Sequence, residues 1–297
     1  MNPKITFLGT GDAIPTRSRN HTAILYSLAG ENILIDCGEG TQRQFRKANL
    51  SPTKLTRILI THWHGDHILG LPGLLQTLAM SDYQRTLELY GPKGTKKTIE
   101  QLKIITGNIK INMNVHEISS GIIEKTNDLE ISALSMKHGP PSVAFAINVR
   151  DKIRLDKAKM KKLKIKPGPH LKQLQEGKDI TYEGKKVKTS QITYHQPGKK
   201  VAIIMDTLFN PNALKIANKA DLLITESSFS QQDVALAQSH NHLTAAQAAE
   251  IAKLSKSKKL ILTHVGQRYP DKSVLLNEAK KIFKNTELVR DLDVIEV

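Results

Sequence analysis

A single cysteine, Cys37, is the only thiol in this chain of 297 residues. One thiol cannot close an internal disulfide, so the sequence calls for no oxidising compartment. Long apolar runs are missing too, and none reaches the ~18–20 residues that cross a bilayer. The opening Met1-Asn2-Pro3-Lys4-Ile5 passes straight into a strand-like pattern, without the basic and apolar stretches of a secretory leader. There is no fixed-period repeat of the solenoid kind. Gly9-Thr10-Gly11 is not a dinucleotide fingerprint, because Ile14 stands where the third glycine would fall. These absences lead to the expectation of a cytoplasmic protein with no membrane partner.

Acidic residues are scarce relative to basic ones. Against 44 Lys and Arg there are 28 Asp and Glu, which leaves a net charge of +16. Such an excess suits a polyanion, because each phosphate neutralised by a side chain releases a condensed counterion. The charge is concentrated. Residues 150–188 carry 14 Lys and Arg against 5 Asp and Glu, which is +9 of the total. This stretch has few large apolar residues and holds Pro167-Gly168-Pro169 in its middle. It is expected to be an exposed basic arm with little core of its own.

Elsewhere hydrophobic residues, 39% of the whole chain, supply a real core. Short β-rich runs alternate with helical patterns, which predicts an α/β layered architecture. Strands are expected over residues 4–8, 22–27, 32–36, 57–61, 87–90, 112–118, 129–136, 143–149, 201–205, 222–225, 259–263 and 293–297. Helices are expected over 41–48, 71–80, 96–105, 211–218, 244–255 and 274–283. The chain then reads as one domain, 1–297, with the basic arm 150–188 inserted into it.

The densest chemistry follows the strand at 57–61. In His62-Trp63-His64-Gly65-Asp66-His67, four ligand-type side chains stand within six residues. Alternate side chains of an extended segment share a face, so His62 and His64 can address one ion. Gly65 lets the chain turn, and Asp66 and His67 can then address a second. A lone histidine is usually a satisfied structural group, but this density is hard to explain without metal. Three further candidates end predicted strands or open loops: His138 before Gly139-Pro140-Pro141, Asp206 after the apolar run 201–205, and His264 after 260–263. His62, His64 and His138 would hold one ion and Asp66, His67 and His264 the other, with Asp206 bridging. Imidazoles with two carboxylates and no thiolate suit two Zn²⁺ per subunit, or a similar ion such as Mn²⁺. Ions ~3.5–4 Å apart can stabilise both oxygens of an in-line displacement at phosphorus.

His-Trp-His-Gly-Asp-His resembles the His-x-His-x-Asp-His signature of the metallo-β-lactamase superfamily. Four further stretches resemble the ribonuclease Z (tRNase Z) family in its short form: Phe7–Gly11, Pro15–Asn20, Ile35–Gln44 and Gly70–Leu75. The resemblance covers almost the whole chain. It implies a four-layered αβ/βα sandwich and the same seven ligands, with Asp66 helping to deprotonate the attacking water. Glu226 in Thr225-Glu226-Ser227-Ser228-Phe229 and His242 in His242-Leu243-Thr244-Ala245 match two family motifs. There the glutamate orients the histidine as proton donor to the leaving 3′ oxygen. The better reading of His240 is structural. Within the arm, Lys166-Pro167-Gly168-Pro169 through Lys172 to Lys178 is similar to the family's tRNA-gripping exosite. The implied activity is removal of the 3′ trailer from precursor tRNA by a homodimer, each arm presenting tRNA to the partner's site. The chain departs from the family at Met205, Leu208, Ala144 and Gly266, none of which is a ligand. A lactonase, thioesterase or cyclic phosphodiesterase of the same fold would need no +9 arm, and a non-catalytic tRNA-binding protein would need no complete ligand set.

Overall fold

Alternation along the strands decides the architecture. Ile5 and Phe7 face one cluster of buried residues while Leu8 faces another, and the split recurs at Ile24/Leu25, Ile33/Leu34 and Leu59/Ile58. Each strand therefore buries both faces, which requires packed layers on either side. The computed structural model describes residues 2–107 and 109–297. It contains two seven-stranded sheets. In spatial order the first runs Val294–Glu296, Lys4–Gly9, Ala23–Leu28, Glu31–Ile35, Arg57–Leu59, Leu87–Gly91 and Met113–Glu117. The second runs Thr286–Leu288, Leu260–Thr263, Leu222–Glu226, Lys199–Ile204, Val143–Val149, Leu129–Ser135 and Gly121–Lys125.

Between the sheets Phe7, Tyr26 and Ile35 meet Phe145, Ile147, Val201 and Ile224. Outside the first sheet, Phe45, Leu74, Leu78 and Ile99 bring in the helices Thr41–Lys47, Leu71–Met80 and Thr95–Thr106. Outside the second, Ala213, Ile216, Ala248, Ile251 and Leu275 bring in Pro211–Ala217, Ala245–Leu254 and Ser273–Ile282. This is the four-layered αβ/βα sandwich that the sequence led us to expect. Two edge strands, Gly121–Lys125 and Thr286–Leu288, were not expected, and neither offers much buried alternation.

The basic arm joins two neighbouring antiparallel strands of the second sheet, Val143–Val149 and Lys199–Ile204. Two expectations about it need correction. Its end lies beyond 188, because Lys152–Leu155 pairs with Thr193–Gln196 and closes the insertion only near Gly198. At that root a Cβ on Gly198 would fall 2.1 Å from the carbonyl oxygen of Val149, so only glycine lets the two chains meet. The arm also has a core. Met160, Ile165, Leu174, Ile180, Val187 and Ile192 bury against one another, and Asp156 caps the helix Lys157–Lys162. Six spaced apolar residues thus form a small core under a lysine-rich surface.

Candidate metal centre and active site

Parallel strands in both sheets deliver the polar residues to one rim. Asp36 follows Glu31–Ile35, His62 follows Arg57–Leu59, Asp206 follows Lys199–Ile204, Glu226 ends Leu222–Glu226, and His264 follows Leu260–Thr263. The carboxyl ends of parallel strands are where α/β sheets place their ligands. His64 has an extended backbone (φ −77°, ψ 154°), and the chain then turns into the short helix Gly65–Ile68. That change of geometry carries Asp66 and His67 away from the face of His62 and His64. His138 enters from the loop before Val143–Val149. His242 stands just ahead of the helix Ala245–Leu254, whose start is fixed by a reciprocal capping box between Thr244 and Gln247.

The seven expected ligands fall into two groups sharing Asp206: His62, His64 and His138 in one, Asp66, His67 and His264 in the other. Within each group the ligand atoms lie within 4.8 Å of one another. His138 Nε2 is 3.2 Å from His64 Nδ1, and His67 Nε2 is 3.1 Å from His264 Nε2. Asp206 Oδ2 lies 3.5 Å from Nε2 of both His62 and His67, while Oδ1 lies 3.2 Å from His264 Nε2. Nε2 of His62 and Oδ1 of Asp206 are buried without a hydrogen-bond partner. Buried polar atoms are normally satisfied, so converging lone pairs left orphaned fit a cation between them.

The electrostatics agree. Burial and then neighbouring His67 push His62 well below its ordinary range, which keeps its lone pair free. Burial opposes charge on His67, but Asp206 and Asp36 on either side outweigh it and raise its pKa well above the ordinary value. Burial likewise resists ionisation of Asp66, yet hydrogen bonds from His264 and His67 hold it well below the usual carboxylate range. An imidazole pressed between carboxylates marks a seat for positive charge, and a divalent ion would supply it.

Two residues hold ligands from behind, and the sequence reading assigned them no role. Asp36 is fully buried with a left-handed backbone (φ 56°). It accepts hydrogen bonds from the Thr61 N–H and hydroxyl and from His67 Nδ1, all at 2.8 Å. In the sequence it is an acid that ends an apolar strand ahead of Gly38, inside the family-like stretch Ile35–Gln44, with nothing that marks its partners. Ser228 meets His264 in a similar way, with Oγ 2.9 Å from Nδ1.

Beside the ligands, His242 Nδ1 lies 2.8 Å from Glu226 Oε2, and Glu226 Oε1 accepts the Thr207 N–H at 2.8 Å. Burial would lower the His242 pKa, but Glu226 and Asp206 overcome it and raise it to about 10. His240 instead turns its Nδ1 to the carbonyl of Leu236 in its own helix at 2.9 Å.

Of the departures, Met205 packs into the core between the sheets and Ala144 into the outer core. Leu208 donates its N–H to the Lys137 carbonyl, and at Gly266 a Cβ would meet Asp12 and Ser228 at 3.0 Å. In the arm, Lys166, Pro167, Pro169, Lys172 and Lys178 are exposed. Gly168 is packed so closely on the His170 ring that a Cβ would fall 2.8 Å from it. Lys178 pairs with Glu176 at 3.2 Å. An open groove of about 1030 Å³ runs past Lys157, Lys161, Lys164, Lys166 and Tyr194.

A family model described as Anti-Pycsar protein Apyc1 matches residues 3–168, a span that includes His62–His67 and His138 but stops before Asp206. The ribonuclease Z of Methanothermobacter thermautotrophicus is 36% identical over 296 residues, covering 99% of this chain and 96% of its own. That of Nanoarchaeum equitans is 38% identical over 295 residues, covering 98% and 92%. Among solved structures, human tRNase Z, short form, superposes with a TM-score of 0.72 at 28% identity, covering 98% of both chains. A metallo-β-lactamase fold protein, YhfI from Bacillus subtilis, gives 0.72 at 20% identity over the whole of both chains, which is a likeness of fold. With end-to-end relatives above one-third identity, this chain belongs to the ribonuclease Z family.

Proposed function

We propose that the chain is a zinc-dependent endoribonuclease that hydrolyses the phosphodiester joining the 3′ trailer to precursor tRNA and leaves a 3′-hydroxyl. The observation that carries this reading is the convergence of seven ligand side chains and a separate His242–Glu226 pair on one rim of the sandwich. His62, His64, His138, Asp66, His67, His264 and Asp206 would hold two ions there, which would supply Lewis-acid polarisation of the scissile phosphate. The protein's own residues do the rest. Asp66, set among the ligands, would help to take up the attacking water's proton. Glu226 keeps the His242 proton on Nδ1 and stabilises the ring's positive charge, so that Nε2 can give up a proton to the departing 3′ oxygen.

The arm is assigned to the substrate. Lys166, Pro167, Gly168, Pro169, Lys172 and Lys178 would grip folded tRNA through its phosphates, which positions the molecule without reading bases. Chain direction supports a homodimer. Val143 donates its N–H to the Thr61 carbonyl beside His62, so the strand Val143–Val149 starts at the catalytic rim. The arm leaves from its other end, roughly 20 Å away at strand rise. An arm rooted there starts at the end of the strand opposite its own site, which would suit presentation to a second copy. The decisive experiment is 3′-end mapping of a precursor tRNA incubated with zinc-loaded protein. A cut after the discriminator nucleotide is expected, and an uncleaved precursor alongside hydrolysis of small esters or lactones would overturn the assignment.

A further inference from the structure

Ser228 stands between the metal-holding and proton-donating halves of the site. Its Oγ is 2.7 Å from Glu226 Oε2 and 2.9 Å from His264 Nδ1, and the side chain is buried. The other nitrogen of His264, Nε2, faces Asp66 at 3.3 Å and Asp206 at 3.2 Å. A neutral His264 that offers Nε2 to an ion must carry its proton on Nδ1, and that N–H donates to Ser228. The single hydroxyl proton of Ser228 is then directed at Glu226, since the His264 carbonyl is a longer alternative at 3.3 Å. Glu226 Oε2 also accepts from His242 Nδ1 at 2.8 Å. One carboxylate oxygen thus ends two hydrogen-bond paths, one from a ligand and one from the proton donor.

We propose that Ser228 is a positioning residue that couples these two halves. By accepting from His264 it fixes the tautomer that leaves Nε2 free for an ion. By donating to Glu226 it fixes the oxygen against which His242 is oriented. The position needs a group that accepts and donates at once, which a hydroxyl does and a methyl cannot. Without it, fully buried Glu226 loses a donor and His264 an acceptor.

The inference rests on the proton-donor role proposed for His242, and its test is built to separate the two. S228A and S228T are compared in precursor-tRNA cleavage, in hydrolysis of bis(p-nitrophenyl) phosphate, and in zinc affinity by chelator competition. The nitrophenolate leaving group needs little protonation. At saturating zinc, S228A is expected to lower kcat on tRNA roughly 10–100-fold with KM unchanged, while the ester loses only about two- to three-fold. Zinc affinity should fall about 10-fold, and S228T should restore all three. The proposal is overturned if S228A keeps wild-type kcat and zinc affinity, or if S228A and S228T lose tRNA and ester cleavage by equal factors. Wild-type protein that hydrolyses the ester but never cuts tRNA would fault the functional reading instead, and the zinc measurement would still decide the link from Ser228 to His264.

Discussion

The imidazole of His242 and the carboxylate of Glu226 meet at 2.8 Å, and the glutamate has no exposure to solvent. A proton donor works only while protonated, so its contribution is present below its pKa and fades as pH rises through it. If His242 is the donor, its raised pKa should sustain activity on the alkaline side. E226Q removes the largest raising influence, and the alkaline limb of kcat should move to lower pH. H242A should slow tRNA cleavage on the order of 10²–10⁴-fold, leave metal content intact, and cost far less on bis(p-nitrophenyl) phosphate. Equal losses on both substrates would reject the donor role.

Asp36 should behave as part of the metal centre without touching an ion. Its Oδ2 receives both the Thr61 hydroxyl and His67 Nδ1 while Oδ1 receives the Thr61 N–H, so the amide of D36N must turn an NH2 group toward one of these donors. Zinc affinity is expected to drop roughly 10–100-fold, as for other lost partners of ligating histidines. Titration against a metallochromic chelator reads the effect, and unchanged affinity would leave Asp36 a merely structural acid.

Elemental analysis of protein purified without chelator should give two ions per chain. H62A and H67A, which strike different groups, should each lower that content. Chelation should abolish activity and lower Tm, because ions that bind only the folded state add about 2.7 kcal/mol of stability at 100 times Kd. Zn²⁺ or Mn²⁺ should restore both. Stoichiometry unmoved by either substitution would rule out the dinuclear site.

The arm should govern affinity for tRNA and leave the chemistry alone. Replacing residues 152–196 by a short Gly/Ser turn removes none of the seven ligands. Small phosphodiesters should still be hydrolysed, while tRNA binds far more weakly and with a shallower dependence on salt. Leu174→Ala, which hollows the arm's own core, should cost the arm about 2–5 kcal/mol and reproduce the binding defect in milder form. Filter binding across a salt series checks both, and an undiminished salt slope in the deletion would reduce the arm to solvated surface.

The site is most legible in the sequence where chemistry is dense in the chain. His62, His64, Asp66 and His67 announce themselves within six residues, and His138 with the strand ends at Asp206 and His264 supplies the rest. Asp36 and Ser228 do not, because their roles depend on partners 31 and 36 residues away that only sheet pairing brings within reach. The arm's core was missed for another reason. Its six apolar residues are diluted by lysines, and composition averages away a spacing that short helices and hairpins can use. Thr286–Leu288 is a three-residue edge strand, too brief for alternation to register.

Val149 and Lys199 are direct partners across two antiparallel strands, so the arm begins and ends within one rung of the sheet. A connection with coincident ends can grow or shrink at little cost to its host, since the entropy of closing a loop rises only with the logarithm of its length. Insertions and deletions at this single rung leave the catalytic rim untouched at the other end of the strands. The length of the arm should therefore be adjustable at this rung without disturbing the seven ligand side chains.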